Sequence, residues 1–300
     1  MVYLVSTMID YHMHGNFCGH AEGELEEYVL EALGKGFQEI GFSAHLPKVV
    51  DPDPYHAMLE NRLPDYVALI EHLQMKYRGN ISIKLGIEAD YFPGLEDKTR
   101  ALLAKYPIDY VLGSLHFLGD WHFSSKAGRP RYDSEDPKEA FPIYFELLAD
   151  MITSGLFDVL AHADALRKET FEPGPGSSED YARLAGLLAK HGMAIEVNTA
   201  GLRRGAGSIY PDRLFLEACG AKGVPVTLGS DAHTPSDVGR DFRHAFRLME
   251  ECGIVDMAIF EGRRMERRPL SEIRDSHASS RLYELLSGEG GPGKGSQAGG

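Results

Sequence analysis

Histidine and carboxylate residues recur at one kind of position along this chain, at or just after the end of a short apolar segment. Seven of the 13 histidines lie at such positions, together with one glutamate and one aspartate. The nine residues are His12, His14, His20, His45, Glu88, His116, His162, Asp231 and His233. Imidazole and carboxylate groups are ligands that zinc, iron and manganese bind in proteins. A fold that gathered these nine side chains would therefore form a site for divalent metal ions.

The first two candidates form an H-x-H pair, His12-Met13-His14. Because alternate residues of a strand point to the same side, both imidazoles are able to meet one ion. The pair by itself is equally compatible with two ordinary hydrogen-bonded histidines. The recurrence at other segment ends favours a metal site, since the remaining histidines do not share this position. Those are His56, His72, His122, His191, His244 and His277.

Apolar segments of strand length alternate with amphipathic segments of helical length. Strands are predicted near residues 6–13, 38–44, 81–88, 109–115, 157–162, 193–199 and 225–230. Helices are predicted near residues 22–35, 60–77, 95–106, 136–154, 178–191, 211–222 and 237–252. This alternation predicts an α/β fold with a parallel sheet and right-handed crossovers. The number of units favours a closed or nearly closed barrel, in which catalytic groups lie at the carboxyl ends of the strands.

A single barrel domain is expected over residues 1–286. Two irregular segments, residues 47–54 and 171–178, are predicted to be loops at the rim of the barrel, where loops often shape the substrate pocket. Residues 287–300 are rich in glycine and have no apolar anchors. This tail is therefore predicted to be disordered and without a role in the chemistry.

The overall charge limits the class of partner. A formal net charge of −14 argues against a protein dedicated to nucleic acid or to anionic membranes, because both bind basic surfaces. It leaves a phosphorylated substrate open, since bound cations reverse the local field. No apolar segment reaches the roughly 18 residues of a membrane span.

The cysteines and the N-terminal residues bear on location. Cys18, Cys219 and Cys252 form no C-x-x-C pair, and their odd number argues against a disulfide framework. The N-terminal residues lack the basic segment and apolar stretch of a signal peptide. A reducing cytoplasm is therefore the predicted location.

The segments around the nine candidates resemble the motifs of the polymerase and histidinol phosphatase (PHP) superfamily, in the order in which the superfamily has them. The similar segments are DYHMHGNFCGHA, FSAHLP, GIEADY, GSLHF, AHAD and TLGSDAH. The resemblance covers about residues 6–265 and fills all nine ligand positions. It implies a distorted, TIM-like (β/α)7 barrel that holds three divalent metal ions. Zinc, iron and manganese all suit mixed imidazole and carboxylate ligation.

The resemblance also implies how the nine residues divide among the three ions. One ion would be held by His12, His14, Glu88 and Asp231. A second would be held by Glu88, His116 and His162, with Glu88 bridging the two ions. The third would be held by His20, His45 and His233. Two carboxylates against three divalent ions leave a strongly positive pocket, which suits a phosphate group.

Within the superfamily, the segments GSLHFLGDWHF, AHADALRK and IEVNTAGLRR are similar to stand-alone histidinol-phosphate phosphatases. The resemblance implies a phosphomonoesterase that hydrolyses L-histidinol phosphate to L-histidinol and phosphate in histidine biosynthesis. Glu88, Asp231 and His233 would then be catalytic. Asp231 or His233 would assist departure of the alkoxide, a poor leaving group, through a water molecule.

A phosphate site needs hydrogen-bond donors besides the metals, and arginine offers a planar fork of them. Arg167 follows the segment that ends at His162, and Arg203 and Arg204 follow the predicted strand 193–199. Arg167 and Arg203 are predicted to bind the substrate, although each is also compatible with an ordinary salt bridge. Trp121, the single tryptophan, is predicted either to wall the substrate pocket or to pack in the core.

Two further residues lie close to candidate ligands. Glu196 is expected to face inward and to orient either a metal ligand or an arginine. Cys18 lies between His14 and His20 in the chain but has no cysteine nearby. It is expected to be a bystander thiol rather than a ligand.

Several other functions stay open from the residues alone. A PHP phosphoesterase acting on nucleotides or nucleic-acid ends is disfavoured by the acidic composition. A protein-tyrosine phosphatase of the same superfamily is a further alternative. Amidohydrolase barrels also begin with H-x-H, but they use a lysine bridge where this chain has Glu88. A regulatory barrel that binds metal or phosphate would have the ligands without turnover.

Overall fold

The computed structural model describes residues 8–50, 53–168 and 171–273. The glycine-rich tail at residues 287–300 lies outside these ranges, as do residues 274–286 at the end of the expected barrel domain. Residues 51 and 52 of the first rim loop also lie outside them.

Each predicted strand and helix overlaps an observed one. The strands are β1 (Ile9–Asp10), β2 (Glu39–Phe42), β3 (Ser82–Asp90), β4 (Tyr110–Ser114), β5 (Phe117–Leu118), β6 (Trp121–His122), β7 (Val159–Leu160), β8 (Ala194–Asn198), β9 (Val226–Gly229), β10 (Asp256–Glu261) and β11 (Arg264–Pro269). The α-helices are α1 (Leu25–Gly34), α2 (Leu63–Lys76), α3 (Glu96–Leu103), α4 (Pro137–Thr153), α5 (Ser177–His191), α6 (Arg213–Ala221) and α7 (Phe242–Glu251). Short 3-10 helices lie at Glu60–Arg62, Arg129–Asp133, Thr199–Leu202 and Pro235–Asp237.

The main sheet has the order β1-β2-β3-β4-β7-β8-β9-β10-β11, and its strands are parallel from β1 to β10. Backbone hydrogen bonds also join the residues that follow β1 to β9 and to the segment after β9. Tyr11 N–H donates to the carbonyl oxygen of Leu228 at 2.9 Å, and His14 N–H donates to that of Ala232 at 2.9 Å. The segment after β1 therefore lies against β9 and the residues that follow it. The predicted parallel α/β fold is confirmed.

Aromatic rings fill the space inside the curved sheet. Tyr11 and Tyr110 stack with their ring centroids 4.8 Å apart, and Tyr110 Oη donates to the carbonyl oxygen of Tyr11 at 2.6 Å. Strands β2 and β3 lie between β1 and β4 in the sheet, so this contact crosses the space that the curved sheet encloses. Gly41 and Gly86 leave room for the Tyr110 ring, since a Cβ atom at either position would lie 2.2 Å from one of its atoms.

Two antiparallel hairpins were not predicted. One joins β5 to β6, and the other joins β10 to β11 at the edge of the main sheet. Strand β11 consists mostly of charged, exposed residues, so its sequence lacks the apolar pattern of a buried strand. It forms because its main chain pairs with β10, which requires no apolar side chains. In the described ranges, none of the helices has the length and apolar character needed to cross a lipid bilayer.

Gly86→Ala should destabilise the fold, because the added methyl group would lie 2.2 Å from Cζ of Tyr110. Overpacking of this kind costs about 1–3 kcal/mol of unfolding free energy. Gly186→Ala in α5 is the matched control, since nothing lies within 4 Å of its added methyl group. Urea denaturation followed by circular dichroism measures both variants. An unchanged midpoint for Gly86→Ala would show that the tyrosine ring moves aside without cost.

Candidate metal centre

The structure brings all nine candidate ligands to one site at the carboxyl ends of the parallel strands. All of them except His20 fall into overlapping groups of three whose donor atoms lie within 4.8 Å of one another. His20 places its Nε2 atom 3.0 Å from Nε2 of His233. Residues as distant in the chain as 12 and 233 meet here, because the carboxyl ends of all strands of a parallel barrel lie at the same face.

Glu88, at the buried end of β3, lies between two sets of imidazoles. Its Oε2 atom is 3.1 Å from Nε2 of His12 and 3.3 Å from Nε2 of His14. Its Oε1 atom is 2.9 Å from Nε2 of His162 and 3.6 Å from Nε2 of His116. Oε2 is also 3.2 Å from Nδ1 of His45. The two carboxylate oxygens thus face different sets of nitrogen atoms, which suits a carboxylate that bridges two cations.

Asp231 completes the first of these sets from the segment that follows β9. Its Oδ1 atom is 3.4 Å from Nε2 of His14 and 3.8 Å from Nε2 of His12. The backbone has a φ of 51° at Asp231 and 23° at His162. Residues other than glycine rarely adopt such values, which cost on the order of 1–3 kcal/mol and cluster at functional sites. The fold therefore holds two candidate ligands in conformations that local preference disfavours.

Two carboxylates outside the centre determine which nitrogen of their histidine faces it. Nδ1 of His12 is 2.6 Å from Oε1 of Glu196, and Nδ1 of His116 is 2.9 Å from Oδ1 of Asp90. Because an ionised carboxylate only accepts hydrogen bonds, each Nδ1 carries the proton, and the Nε2 atom faces the centre. Carboxylate–histidine pairs of this kind orient metal ligands and increase their basicity.

Nitrogen lone pairs face each other elsewhere in the centre. Nδ1 of His20 donates to the carbonyl oxygen of Tyr55 at 2.8 Å, and Nδ1 of His233 donates to that of Asp231 at 2.9 Å. Both Nε2 atoms therefore present lone pairs to each other across 3.0 Å. Nε2 of His14 is buried with no hydrogen-bond partner among the described residues. Buried acceptors so arranged need a cation. The donor set therefore fits divalent metal ions.

Glu88, Asp231 and His45 have the protonation states that metal ions require, whereas burial is outweighed at His12 and His116 by neighbouring carboxylates, which raise both pKa values. Burial raises the pKa of Glu88, but His45 and His12 outweigh it and hold that pKa well below its usual value. Burial is likewise outweighed at Asp231, where Arg204 and His12 lower the pKa. Burial holds the pKa of His45 well below its usual value. At neutral pH both carboxylates are therefore ionised and His45 is neutral, the protonation states that bind metals.

Comparison with known proteins shows to which family this chain belongs. The model of the PHP domain family matches residues 10–200. A relative from Deinococcus radiodurans, named "Probable histidinol-phosphatase", is 35% identical over 251 residues, which cover 83% of this chain and 95% of the relative. The chain belongs to the PHP family.

Further relatives support the PHP assignment. The histidinol-phosphatase of Bacillus subtilis is 32% identical over 271 residues, covering 81% of this chain and 98% of the relative. The histidinol phosphate phosphatase of Lactococcus lactis, solved in complex with zinc, L-histidinol and phosphate, has a TM-score of 0.75. It is 23% identical, and the superposition covers 86% of this chain and 98% of that one. The predicted TIM-like barrel of the PHP type is confirmed.

Glu196 and Asp90 support the PHP centre without belonging to its nine candidate ligands. Glu196 was expected to orient a ligand or an arginine, and it orients two ligand segments. Its Oε1 atom accepts from His12, and its Oε2 atom accepts from the main-chain N–H of His162 at 2.8 Å. Asp90 was not among the predicted site residues. Its position two residues after Glu88 was the available signal, because alternate residues of a strand share a face.

Cys18 lies beside the centre as a buried thiol. Its Sγ atom is 3.6 Å from Nδ1 of His14 and accepts a hydrogen bond from the main-chain N–H of His45 at 3.3 Å. Burial raises the pKa of the thiol to about 12, so the thiolate that metals bind is disfavoured. This position agrees with the expected bystander role.

The three residues predicted to bind the substrate have internal partners. Arg167 is buried, with Nε 3.1 Å from Oδ2 of Asp164, and Nη2 of Arg203 donates to the carbonyl oxygen of Ser230 at 2.6 Å. Trp121 is also buried, which corresponds to its core-packing alternative. None of the three lines the cavity above the centre among its described lining residues. Their role in binding substrate stays an untested prediction.

The cavity wall instead carries Arg204 and Lys168. Arg204 follows the same predicted strand as Arg203 but was not among the predicted substrate ligands, and neither was Lys168. Each directly follows a selected arginine in the chain, so the sequence indicated the right segments. Neighbouring loop residues point in different directions, and the surrounding packing determines which of them faces the cavity.

Glu196→Gln should lower the affinity for divalent metals by about 10- to 100-fold, because the amide no longer holds the proton on Nδ1 of His12. Competition with a chromophoric chelator, combined with elemental analysis, measures the change. Glu71→Gln, at an exposed position on α2, removes the same charge far from the centre and should leave the affinity unchanged. Equal affinities in the two variants would rule out an orienting role for Glu196.

Proposed function

We propose that this PHP protein is a histidinol-phosphatase, which hydrolyses L-histidinol phosphate to L-histidinol and inorganic phosphate in histidine biosynthesis. The observation that carries the proposal is the gathering of nine metal-binding side chains under a cavity with cationic walls. Relatives that align over about four fifths of the chain are named histidinol-phosphatases. The Lactococcus lactis structure of the same fold contains L-histidinol and phosphate.

Composition and contacts support the proposed setting of the enzyme. All three cysteines are buried and unpaired, as expected in a reducing cytoplasm. The net charge of −14 supports a small phosphate ester as the partner, rather than nucleic acid or a membrane. We further propose that residues 1–286 form one barrel domain.

We propose three divalent ions, each zinc, iron or manganese. The first set of ligands is His12, His14, Glu88 and Asp231. The second is Glu88, His116 and His162. The third is His20, His45 and His233. When bound, such ions neutralise phosphate oxygens and lower the pKa of water from about 15.7 toward about 7.

Arg204 and Lys168 are the proposed protein donors to the phosphate group. Nη2 of Arg204 lies 3.3 Å from Oδ2 of Asp231, so the guanidinium borders the metal centre. Its side chain is 42% exposed, and Lys168 lines the same cavity. Fixed cations stabilise the charge that spreads over the equatorial oxygens during phosphoryl transfer. Arg204 and Lys168 are proposed in addition to Arg167, Arg203 and Trp121, because Arg204 and Lys168 line the cavity.

Glu88, Asp231 and His233 are the proposed catalytic side chains. One oxygen of Glu88 faces His12 and the other faces His162. This carboxylate is therefore proposed to set the distance between the groups that act on the phosphate. Asp231 and His233 line the cavity beside Arg204. Asp231 or His233 is proposed to hold the water molecule whose proton passes to the departing alkoxide, because an alkoxide is a poor leaving group.

The protein supplied with zinc, iron or manganese should release phosphate faster from L-histidinol phosphate than from nucleoside monophosphates or single-stranded oligonucleotides. A colorimetric phosphate assay at matched concentrations measures the rates. Faster release from nucleotides or oligonucleotides would favour the alternative PHP phosphoesterase. Tight metal binding without release from any ester would favour the regulatory barrel.

His14→Ala and Glu88→Gln should each lower kcat by at least about 100-fold, because each removes a metal-ligating atom from the middle of the site. His244→Ala is the control, since this exposed histidine lies on α7 away from the centre. Circular dichroism should show that all three variants keep the fold. Substantial activity in both centre variants would exclude this site as the catalytic one.

The pH dependence should report the charge of Lys168. Burial lowers its pKa to about 8, and Arg204 and Arg129 add to the shift. Lys168 is therefore charged below this pH and loses its charge as the pH rises through about 8. The ratio kcat/KM should fall over the same range, and Lys168→Arg should remove the fall because arginine stays charged. An identical profile in wild type and variant would show that Lys168 does not bind the phosphate.

A further inference from the structure

The metal centre lies under a cavity of about 320 Å³ whose walls differ in charge from the rest of the protein. The chain as a whole has a net charge of −14. The cavity is nevertheless lined by Lys48, Lys126, Arg129, Lys168 and Arg204. Its lining carboxylates are Glu88, Asp90 and Asp231, and each of them faces a histidine of the centre. The wall beyond the centre is therefore cationic.

Three of these cations have no carboxylate partner among the residues that the structure describes. Lys48 lies 3.5 Å from a carboxylate oxygen of Asp53, and Arg204 is paired with Asp231. Lys126, Arg129 and Lys168, by contrast, take part in no salt bridge found within residues 8–50, 53–168 and 171–273. Cations held near one another without a counter-charge repel, so a bound anion would relieve the repulsion.

The fold presents Lys126 and Arg129 on a tightly held loop rather than on a loose one. Ser125 Oγ donates to the carbonyl oxygen of His122 at 2.9 Å and accepts from the N–H of Gly128 at 3.0 Å. The carbonyl oxygen of Gly128 in turn accepts from the buried Trp121 ring nitrogen at 2.8 Å. A Cβ atom at Gly128 would lie 1.9 Å from the carbonyl oxygen of His122, so only glycine permits this turn. Both cations therefore start from a well-defined backbone.

Lys168 lines the same cavity as this loop and the metal centre. Its Cδ atom would be 2.9 Å from a Cβ atom built on Gly205, so its stem lies against the residue next to Arg204. The lowered pKa of Lys168 has burial as its main cause, with Arg204 and Arg129 as the next causes. Lys168 therefore feels the charges of both arginines, one at the centre and one at the outer wall.

We infer that Lys126 and Arg129, together with Lys168, form a second anion subsite beyond the phosphate position. The enzyme then also hydrolyses small phosphate monoesters whose leaving group carries a further phosphate or carboxylate. This inference rests on the proposed phosphatase function. The phosphorus–oxygen bond to the leaving group breaks, and a water oxygen bonds to phosphorus. One proton passes to the departing alcohol, and the second anionic group stays unchanged.

L-histidinol by itself does not account for this wall. Its leaving group carries an amine and an imidazole, neither of which is an anion. Lys126 and Arg129 create a positive potential, which would repel an ammonium group placed near them. A substrate with a second anionic group would instead pair with them.

Matched pairs of esters test the subsite. The pairs are glycerol 3-phosphate with 3-phosphoglycerate, and fructose 6-phosphate with fructose 1,6-bisphosphate. The second member of each pair should have a kcat/KM at least about fivefold higher, which corresponds to one favourable charge pair near a protein surface. The first pair tests a carboxylate as the second anion, and the second pair tests a phosphate.

The double variant Lys126→Gln with Arg129→Gln should bring both ratios close to one. Lys190→Gln with Lys222→Gln is the matched control. These exposed lysines lie at the carboxyl ends of α5 and α6, so the control removes the same net charge at the opposite end of the barrel. The control should keep the ratios of the wild type.

Ratios of one in the wild type, or ratios that the double variant leaves unchanged, would overturn the subsite. L-histidinol phosphate is assayed in parallel. Turnover of that ester without discrimination within the pairs refutes the subsite alone, whereas the absence of turnover with it refutes the proposed function. Calorimetric titration of the same esters tests the subsite independently of turnover, because equal Kd values within each pair would refute it.

Discussion

One constraint dominates this structure. Nitrogen and oxygen lone pairs lie close together in the centre, and they need cations between them. Glu88 turns one oxygen to His12 and His14 and the other to His162, while His20 and His233 point their Nε2 atoms at each other. Such an arrangement is unfavourable in an empty protein interior, because buried acceptors without donors lose their hydration. Divalent ions convert the same arrangement into a stable centre. Bound metal ions would therefore stabilise this end of the barrel.

Several buried contacts hold the ligand segments against one another. Asp10 accepts hydrogen bonds from the N–H of Ser230 at 3.0 Å, from its hydroxyl at 2.5 Å and from the N–H of Gly239 at 2.9 Å. These bonds tie the segment that carries His12 to the segment that carries Asp231. Burial raises the pKa of Asp10, and these hydrogen bonds oppose the shift. The barrel thus places its ligands through main-chain pairing and through carboxylates that accept several hydrogen bonds each.

Charge is distributed unevenly around the centre, and this distribution bears on substrate choice. The protein is acidic overall, yet the cavity has a cationic wall whose outer members form no salt bridge with any described carboxylate. The metal ions and Arg204 suit the phosphate that is transferred. Lys126 and Arg129 line the same cavity, and the inferred second subsite would place them at the leaving group. Reaction type and substrate range are therefore set by different parts of one cavity.

Local patterns were sufficient to predict the parallel strands, the helices between them and the nine candidate ligands. Strand and helix periodicity and the position of a residue relative to a strand end are properties of short segments, so they can be read without the fold. The hairpin formed by β10 and β11 was not predicted, because main-chain pairing rather than apolar alternation holds its charged outer strand.

The sequence by itself thus determined the family of the fold and which residue types lie at its catalytic face. Only the tertiary structure decided which neighbouring side chain faces the cavity, with Arg204 and Lys168 there and Arg167 and Arg203 turned to internal partners. It also decided that Asp90 and Glu196 hold histidines of the centre. The direction of a loop side chain depends on partners tens to hundreds of residues away, and no short segment contains that information.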